Sequence, residues 1–222
     1  MVSGTAAMKL EIIARRHLYD IAASSPIPIV NASPIQLLFL QAVPARPRTL
    51  PRGATRLALT TTVANTLLKE SSGSSVGWVD MEMIRTTLDL GYGLNDRLEI
   101  NLSLPAAYSG GGGMDHFILD VERAFGNARK VREEQSAHQY HFDVRTNGRR
   151  LLGGGDRASG LGDATFGLKG MIMPEADLWP GFGARLAVKL PTASQTRGLG
   201  SGHADFGAGT DITFFLNVGR GF

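Results

Sequence analysis

Two sets of residues in this 222-residue chain have the types and spacing to do chemistry. The first is Asp115-His116 with His138, His141 and Ser159, all inside residues 109–160. A serine, a histidine and an acid are the parts of an activated nucleophile, the imidazole drawing the proton from the hydroxyl. Nothing in their spacing fixes a mutual geometry, so no catalytic residue is assigned and the chain is expected to be non-enzymatic. His138 and His141 are three apart, which on a strand sends them to opposite faces, so no metal site is assigned either. GLGSG at 198–202 has the composition of a phosphate-binding loop, but no helix pattern follows, and it reads as a flexible loop with no cofactor.

The second set is larger and ordered. Arg85, Asp89, Arg97, Glu99, Asp163, Lys169, Arg185, Lys189, Asp205 and Asp211 all fall at odd positions within period-two windows. The stretch RLEINLSLPAAY (97–108) shows the pattern, with Leu98, Ile100, Leu102, Leu104 and Tyr108 even and Arg97, Glu99, Asn101 and Ser103 odd. Successive side chains of a strand point to opposite faces, so such a segment is apolar on one side and polar on the other. Five acids facing five bases would line a wet channel in a wide barrel, or fill a narrow one with ion pairs.

The elements that must position them are strands. Windows of this kind run over 55–68, 84–94, 97–108, 161–173, 182–191 and 204–218, with the apolar face even-numbered in the five from residue 84 onward. No charge falls on that even face. A lipid-facing band has this property, because Lys or Arg near a bilayer midplane costs roughly 2–4 kcal/mol. The rival is a soluble β-sandwich or lipocalin-like ligand-binding protein with the apolar face inside, whose polar face should be dense in Lys and Glu. Here the polar face mixes charges with Gly, Thr, Ala and Asn, which favours the membrane.

Connections alternate in length. Asn95-Asp96 and 174–181 are short, whereas 109–160 and 192–203 are long, as in barrels with short periplasmic turns and long external loops. Residues 140–154 read as an external hairpin closed by Asn147-Gly148. Residues 114–125 read as a short amphipathic helix that caps the mouth or rests on the rim. Trp78, Tyr92, Tyr108, Trp179 and Phe182 stand where an interfacial girdle belongs.

Composition agrees. There are 28 glycines and no cysteine, which excludes disulfides and thiolate metal sites. The net charge of +3 comes from the first 56 residues, which hold seven Lys/Arg and two Asp/Glu; a basic head on a near-neutral body is not a nucleic-acid footprint. No apolar run reaches the roughly 18–20 residues of a membrane helix. Residues 1–30 read as a non-barrel leader, with a weakly amphipathic helix over 6–23 whose Glu11, Arg15, Arg16 and Asp20 interrupt any export signal. Residues 31–54, with Pro34, Pro44, Pro47 and Pro51, read as an extended lead-in, and 55–222 as the barrel.

GLGDATFGLKG (160–170) followed by LAVKLPTASQTRGLGSGHADFGAG (186–209) resembles a family of bacterial outer-membrane β-barrels known only as a domain of unknown function. NASPIQLLFLQAVPA (31–45) and GGGGMDHFILDVERAFG (110–126) carry the same resemblance, and transporter barrels of aromatic-degradation pathways are more distantly similar. The resemblance implies an all-β, antiparallel, up-and-down transmembrane barrel in the outer membrane. Its expected partners are the lipid bilayer, lipopolysaccharide and the barrel-assembly machinery, with no nucleic acid. Six strands fall below the usual eight, so the chain is expected to be the N-terminal part of a barrel. Passive transport of small solutes is the expected role, an outer-membrane lipid-modifying enzyme using loop 109–160 the alternative.

Overall fold

The computed structural model describes residues 5–10, 31, 33, 35–41, 43, 45–111, 113, 120, 121, 123, 124, 139–154, 157–176 and 179–213. They form an antiparallel sheet curled into a half-barrel, an incomplete β-barrel with almost no helix. The strands are β1 (Thr5–Leu10), β2 (Thr55–Ser72), β3 (Ser75–Asn95), β4 (Leu98–Gly110), β5 (His141–Thr146) and β6 (Arg149–Gly154). β7 (Ala158–Leu161), β8 (Thr165–Met173), β9 (Gly181–Lys189) and β10 (Asp205–Thr213) follow.

The main path is β1-β2-β3-β4-β8-β9-β10, so the six windows of alternation become β2, β3, β4, β8, β9 and β10. At one end the links are short, β3 to β4 across Asp96 and β8 to β9 through 174–180. At the other end β2 and β3 rise past their neighbours, and β5 pairs the tall part of β3 while β6 pairs β5. The β5–β6 turn is Asn147-Gly148, with φ of 51° and 73°. Both values are positive, as the tightest hairpin turn requires.

Register places the apolar residues in rows across the sheet. Leu57, Leu90, Leu102, Phe166, Val188 and Phe206 are successive partners on six strands. Tyr92, Ile100, Leu168, Leu186 and Ala208 form the next row. These side chains lie on the convex face and stay open to the surroundings, Leu186 at 58% and Phe206 at 81%.

Among the described residues the main cluster of buried apolar side chains is on the opposite, concave face at the tall end. Leu37, Leu38, Val79, Met81, Met83 and Phe142 make it, with Ile35, Leu68, Tyr140, Val144 and Leu152 against them. Along β3 the apolar side therefore changes from odd (Val79, Met81, Met83) to even (Ile84, Leu88, Leu90, Tyr92).

Several expectations change here. Thr5–Leu10 is a strand paired with Leu59–Ala64, not the start of a helix, and it lies within the segment expected as a leader. β2 and β3 run on to Ser72 and from Ser75 and close at a two-residue turn, well beyond the alternating windows 55–68 and 84–94. Trp78 stacks on His141 with centroids 3.8 Å apart and carries Lys69 on its ring, so it packs against the β3–β5 pairing at the tall end. In the expected helix at 114–125, residues 120, 121, 123 and 124 are helical and the others lie outside the described residues.

Candidate functional site

The concave face carries most of the odd-position charges, and a piece of the chain itself lies on it. Residues 35–51 cross that face without joining the sheet, held by groups that read their backbone. Arg85 donates to the Leu37 carbonyl. Lys189 Nζ donates to the Leu38 carbonyl at 2.8 Å, and Asp205 accepts the Leu40 N–H at 2.9 Å. Arg185 Nη1 donates to the Val43 carbonyl at 2.7 Å, and Lys169 Nζ to the Arg48 carbonyl at 2.5 Å. Glu99, fully buried, accepts the Leu50 N–H at 2.8 Å.

Glycine makes the room. Four strand glycines on the same odd-numbered face lie against the segment. A β-carbon on Gly207 would stand 2.8 Å from Leu40 Cδ2, one on Gly183 3.0 Å from Pro47 Cα, and one on Gly91 3.2 Å from Leu50 Cδ1. On Gly93 it would stand 2.1 Å from the Pro51 oxygen, where no side chain fits. Prolines suit the segment because Pro47 and Pro51 remove N–H groups that no ladder would satisfy.

The wall also pairs its charges laterally. Lys189 is 3.0 Å from both Asp163 and Asp205. Arg185 has Nη2 on Asp211 Oδ1 at 2.8 Å and Nε 2.6 Å from Oδ2. Arg56 Nη2 reaches Glu99 Oε1 and Asn101 Oδ1, both at 3.0 Å. Asp89 accepts from Ser103 Oγ. A buried charge is tolerable only when paired and hydrogen-bonded, and this lattice meets that condition.

Nine of the ten charges expected on one face, Arg85, Asp89, Glu99, Asp163, Lys169, Arg185, Lys189, Asp205 and Asp211, are in this lattice or touch the segment. Arg97 is not; it sits exposed in the turn between β3 and β4, where period-two alternation has ended. Arg56 was missed, because the charge pattern was read only from residue 84 onward. Over the described residues the segment covers much of this charged face, and a cavity of about 10 Å³ lies between Leu37, Leu38, Met83, Arg85 and Lys189, room for barely one water. GLGSG is not a loose loop: Leu199 and Ser201 are buried at the end of this face, and Gly198 and Gly202 take φ of 69° and 75°.

Two arrangements resemble catalytic ones and are not built as such. Lys189 Nζ lies 2.5 Å from Ser201 Oγ, but Lys189 also faces two carboxylates and the Leu38 carbonyl, and Ser201 Oγ donates to the His203 carbonyl at 3.1 Å. The amine's hydrogen bonds are thus shared among the Leu38 carbonyl, Asp163 and Ser201. Gly73-Ser74-Ser75-Val76-Gly77 has nucleophile-elbow spacing, yet it closes the β2–β3 hairpin and Ser75 Oγ is spent on Thr146 Oγ1 at 3.0 Å. Ser159 and His141 lie on β7 and β5, which pair different strands. Asp115, His116 and His138 lie outside the described residues. Among the described residues no three His, Asp or Glu are grouped as metal ligands.

A family model described as a protein of unknown function, DUF3187, matches residues 12–214. No curated protein matches the chain, and no solved structure does.

Proposed function

For a chain that belongs to the DUF3187 family, whose function is unknown, we propose a place in the bacterial outer membrane as the wall of a transmembrane β-barrel. The observation that carries this reading is the change of apolar side along β3. Val79, Met81 and Met83 are buried inside, while Ile84, Leu90, Tyr92 and Leu94 stand exposed outside. A sheet in one solvent keeps one apolar face along its length. A sheet that leaves a bilayer has lipid outside in one part and water outside in the other, and its apolar face inverts where the medium changes.

The convex band supports the same reading. Each large apolar side chain left in water forfeits about 1.5–3 kcal/mol, and more than a dozen stand exposed on that face, Leu57, Leu104, Phe166, Leu168 and Ile212 among them. Lipid would satisfy them all. Tyr92 and Trp179 stand near the short-turn rim and Tyr108 near the other, at the heights of two interfacial girdles. The partners are then the bilayer, lipopolysaccharide and the barrel-assembly machinery. The role is passive passage of small solutes along the charge-lined concave face, with no chemistry performed.

Refolding from urea into detergent micelles, in parallel with plain buffer, tests the placement. A heat-sensitive fast gel band only in detergent is expected. A soluble, cooperatively folded species in plain buffer would refute it and favour the soluble ligand-binding alternative. Lipid hydrolysis lost on His116→Ala or Ser159→Ala would favour the enzyme.

A further inference from the structure

We propose that residues 40–51 are a removable plug, tethered at Leu37 and Leu38 in the apolar core, seated in this state and leaving the concave face when the barrel conducts. The inference rests on the membrane-barrel reading and deepens it.

Three observations carry it. First, the wall is complete without the segment. Lys189 keeps Asp163 and Asp205, Arg185 keeps Asp211, and Arg56 keeps Glu99 and Asn101. When the segment leaves, Arg185 loses one backbone carbonyl and retains Asp211, and Lys169, which loses the Arg48 carbonyl, still stands opposite Glu99 in the β4–β8 register. Second, between Leu40 and Leu50 most of the polar grip is on main-chain groups at isolated points (Leu40, Val43, Arg48 and Leu50), with no continuous ladder. Water replaces isolated polar contacts one at a time, whereas a strand of the sheet would have to be peeled away whole. Third, the surface uncovered is fit for water. Gly91, Asn101, Gly167, Ala187 and Gly207 are successive partners in one smooth row. Below it lie Glu99, Lys169 and Arg185, and above it Asp89, Ser103, Thr165, Lys189 and Asp205. A wall meant only to be filled would be apolar, as the tall end of the same face is at Val79, Met81 and Met83.

The absence of native cysteine makes a clean test possible. A β-carbon on Gly183 would lie 3.2 Å from Pro47 Cβ, within a few tenths of an ångström of the separation a disulfide spans. The Pro47→Cys/Gly183→Cys pair should lock the plug when oxidised and free it when reduced. In planar bilayers with potassium chloride, the oxidised protein should be silent and the reduced one should conduct, reversibly with dithiothreitol. Equal conductance in both states overturns the proposal, since the path is then open with the plug in place. Silence in both states also overturns it.

A second readout does not depend on the membrane. Leu50→Cys, at a position 8% exposed, should react slowly but completely with a bulky soluble maleimide in the folded protein. No reaction short of unfolding means a permanent filling and overturns the plug. If the protein never enters a bilayer, the membrane reading fails and the maleimide result still decides the segment.

Discussion

Glu99→Ala should loosen the segment at its lower anchor. Glu99 is fully buried and accepts two hydrogen bonds, from the Leu50 N–H at 2.8 Å and from Arg56 Nη2 at 3.0 Å. Truncation strands the Leu50 N–H against the wall, which costs about 1–3 kcal/mol. The Arg56 side chain is 35% exposed, so water takes over much of its partner's role, and that loss belongs in the surface range of about 0–1 kcal/mol. The two together centre on about 2–3 kcal/mol. This falls on the docked segment and not on the sheet, since the β3–β4 ladder is made by backbone groups.

Limited trypsin digestion reads it directly, because Arg48 and Arg52 lie in and beside the segment with their side chains exposed while the backbone is held. Cleavage needs local opening. When opening is fast relative to cleavage, the rate follows the opening equilibrium. A loss of about 2–3 kcal/mol then raises cleavage roughly 30- to 150-fold. Glu99→Gln keeps the shape and an acceptor oxygen and should raise it less than about tenfold. An unchanged rate in Glu99→Ala, with the circular dichroism of the sheet intact, would refute the claim that the wall holds the segment.

Other outcomes follow from the same geometry. Leu102→Lys, Phe166→Lys and Leu186→Lys each put a cation in the convex band, should cost about 2–4 kcal/mol of stability in bilayers, and should reduce the heat-sensitive gel band. Unaltered folding of all three in plain buffer would count against lipid contact. Lys189→Met leaves Asp163 and Asp205 facing each other with no cation between and should cost about 3–5 kcal/mol in urea unfolding. Adding Asp163→Asn should restore part of that loss, and no restoration would argue against the pairing. Gly148→Val forces a branched residue to φ of 73° and should cost about 1–2 kcal/mol. Hydrogen exchange should show it as faster exchange in β5 and β6 alone, leaving β8 to β10 unaffected.

Much of the wall could be read from the chain because its two faces meet different surroundings. Residues 98–108 and 182–189 announce themselves by parity, and the hairpin at Asn147-Gly148 by its turn residues. The tall end of β3 did not, because the apolar side inverts between Met83 and Ile84 and the alternation loses phase there. Thr5–Leu10, TAAMKL, has too little contrast between its faces to mark a strand.

The largest gap was the occupant of the concave face. Beyond Leu37 and Leu38, which pack in the apolar core, the segment is recognised largely through carbonyl and N–H groups, which every residue carries, so its sequence shows prolines and no pattern of contact. The complementary signal was present on the wall. Gly91, Gly93, Gly183 and Gly207 share the odd face with the charges, and glycine repeated among charges marks a close backbone approach as much as a channel. Arg56 was legible too, since Arg56, Ala58, Thr60 and Thr62 alternate with Leu57, Leu59 and Val63 on β2.

The measurement that bears most directly on the central claim is depth-resolved quenching. Single cysteines at Leu57, Leu90, Leu102, Phe166, Val188 and Phe206, one row across six strands, would carry a fluorophore in protein reconstituted with nitroxide-labelled lipids. Asn101 and Ala187, one residue along on the concave face, serve as controls. The account predicts strong quenching at every position of the row and little at the controls. Equal, weak quenching at both sets would contradict it, and the convex band would then have to be covered by protein instead of lipid.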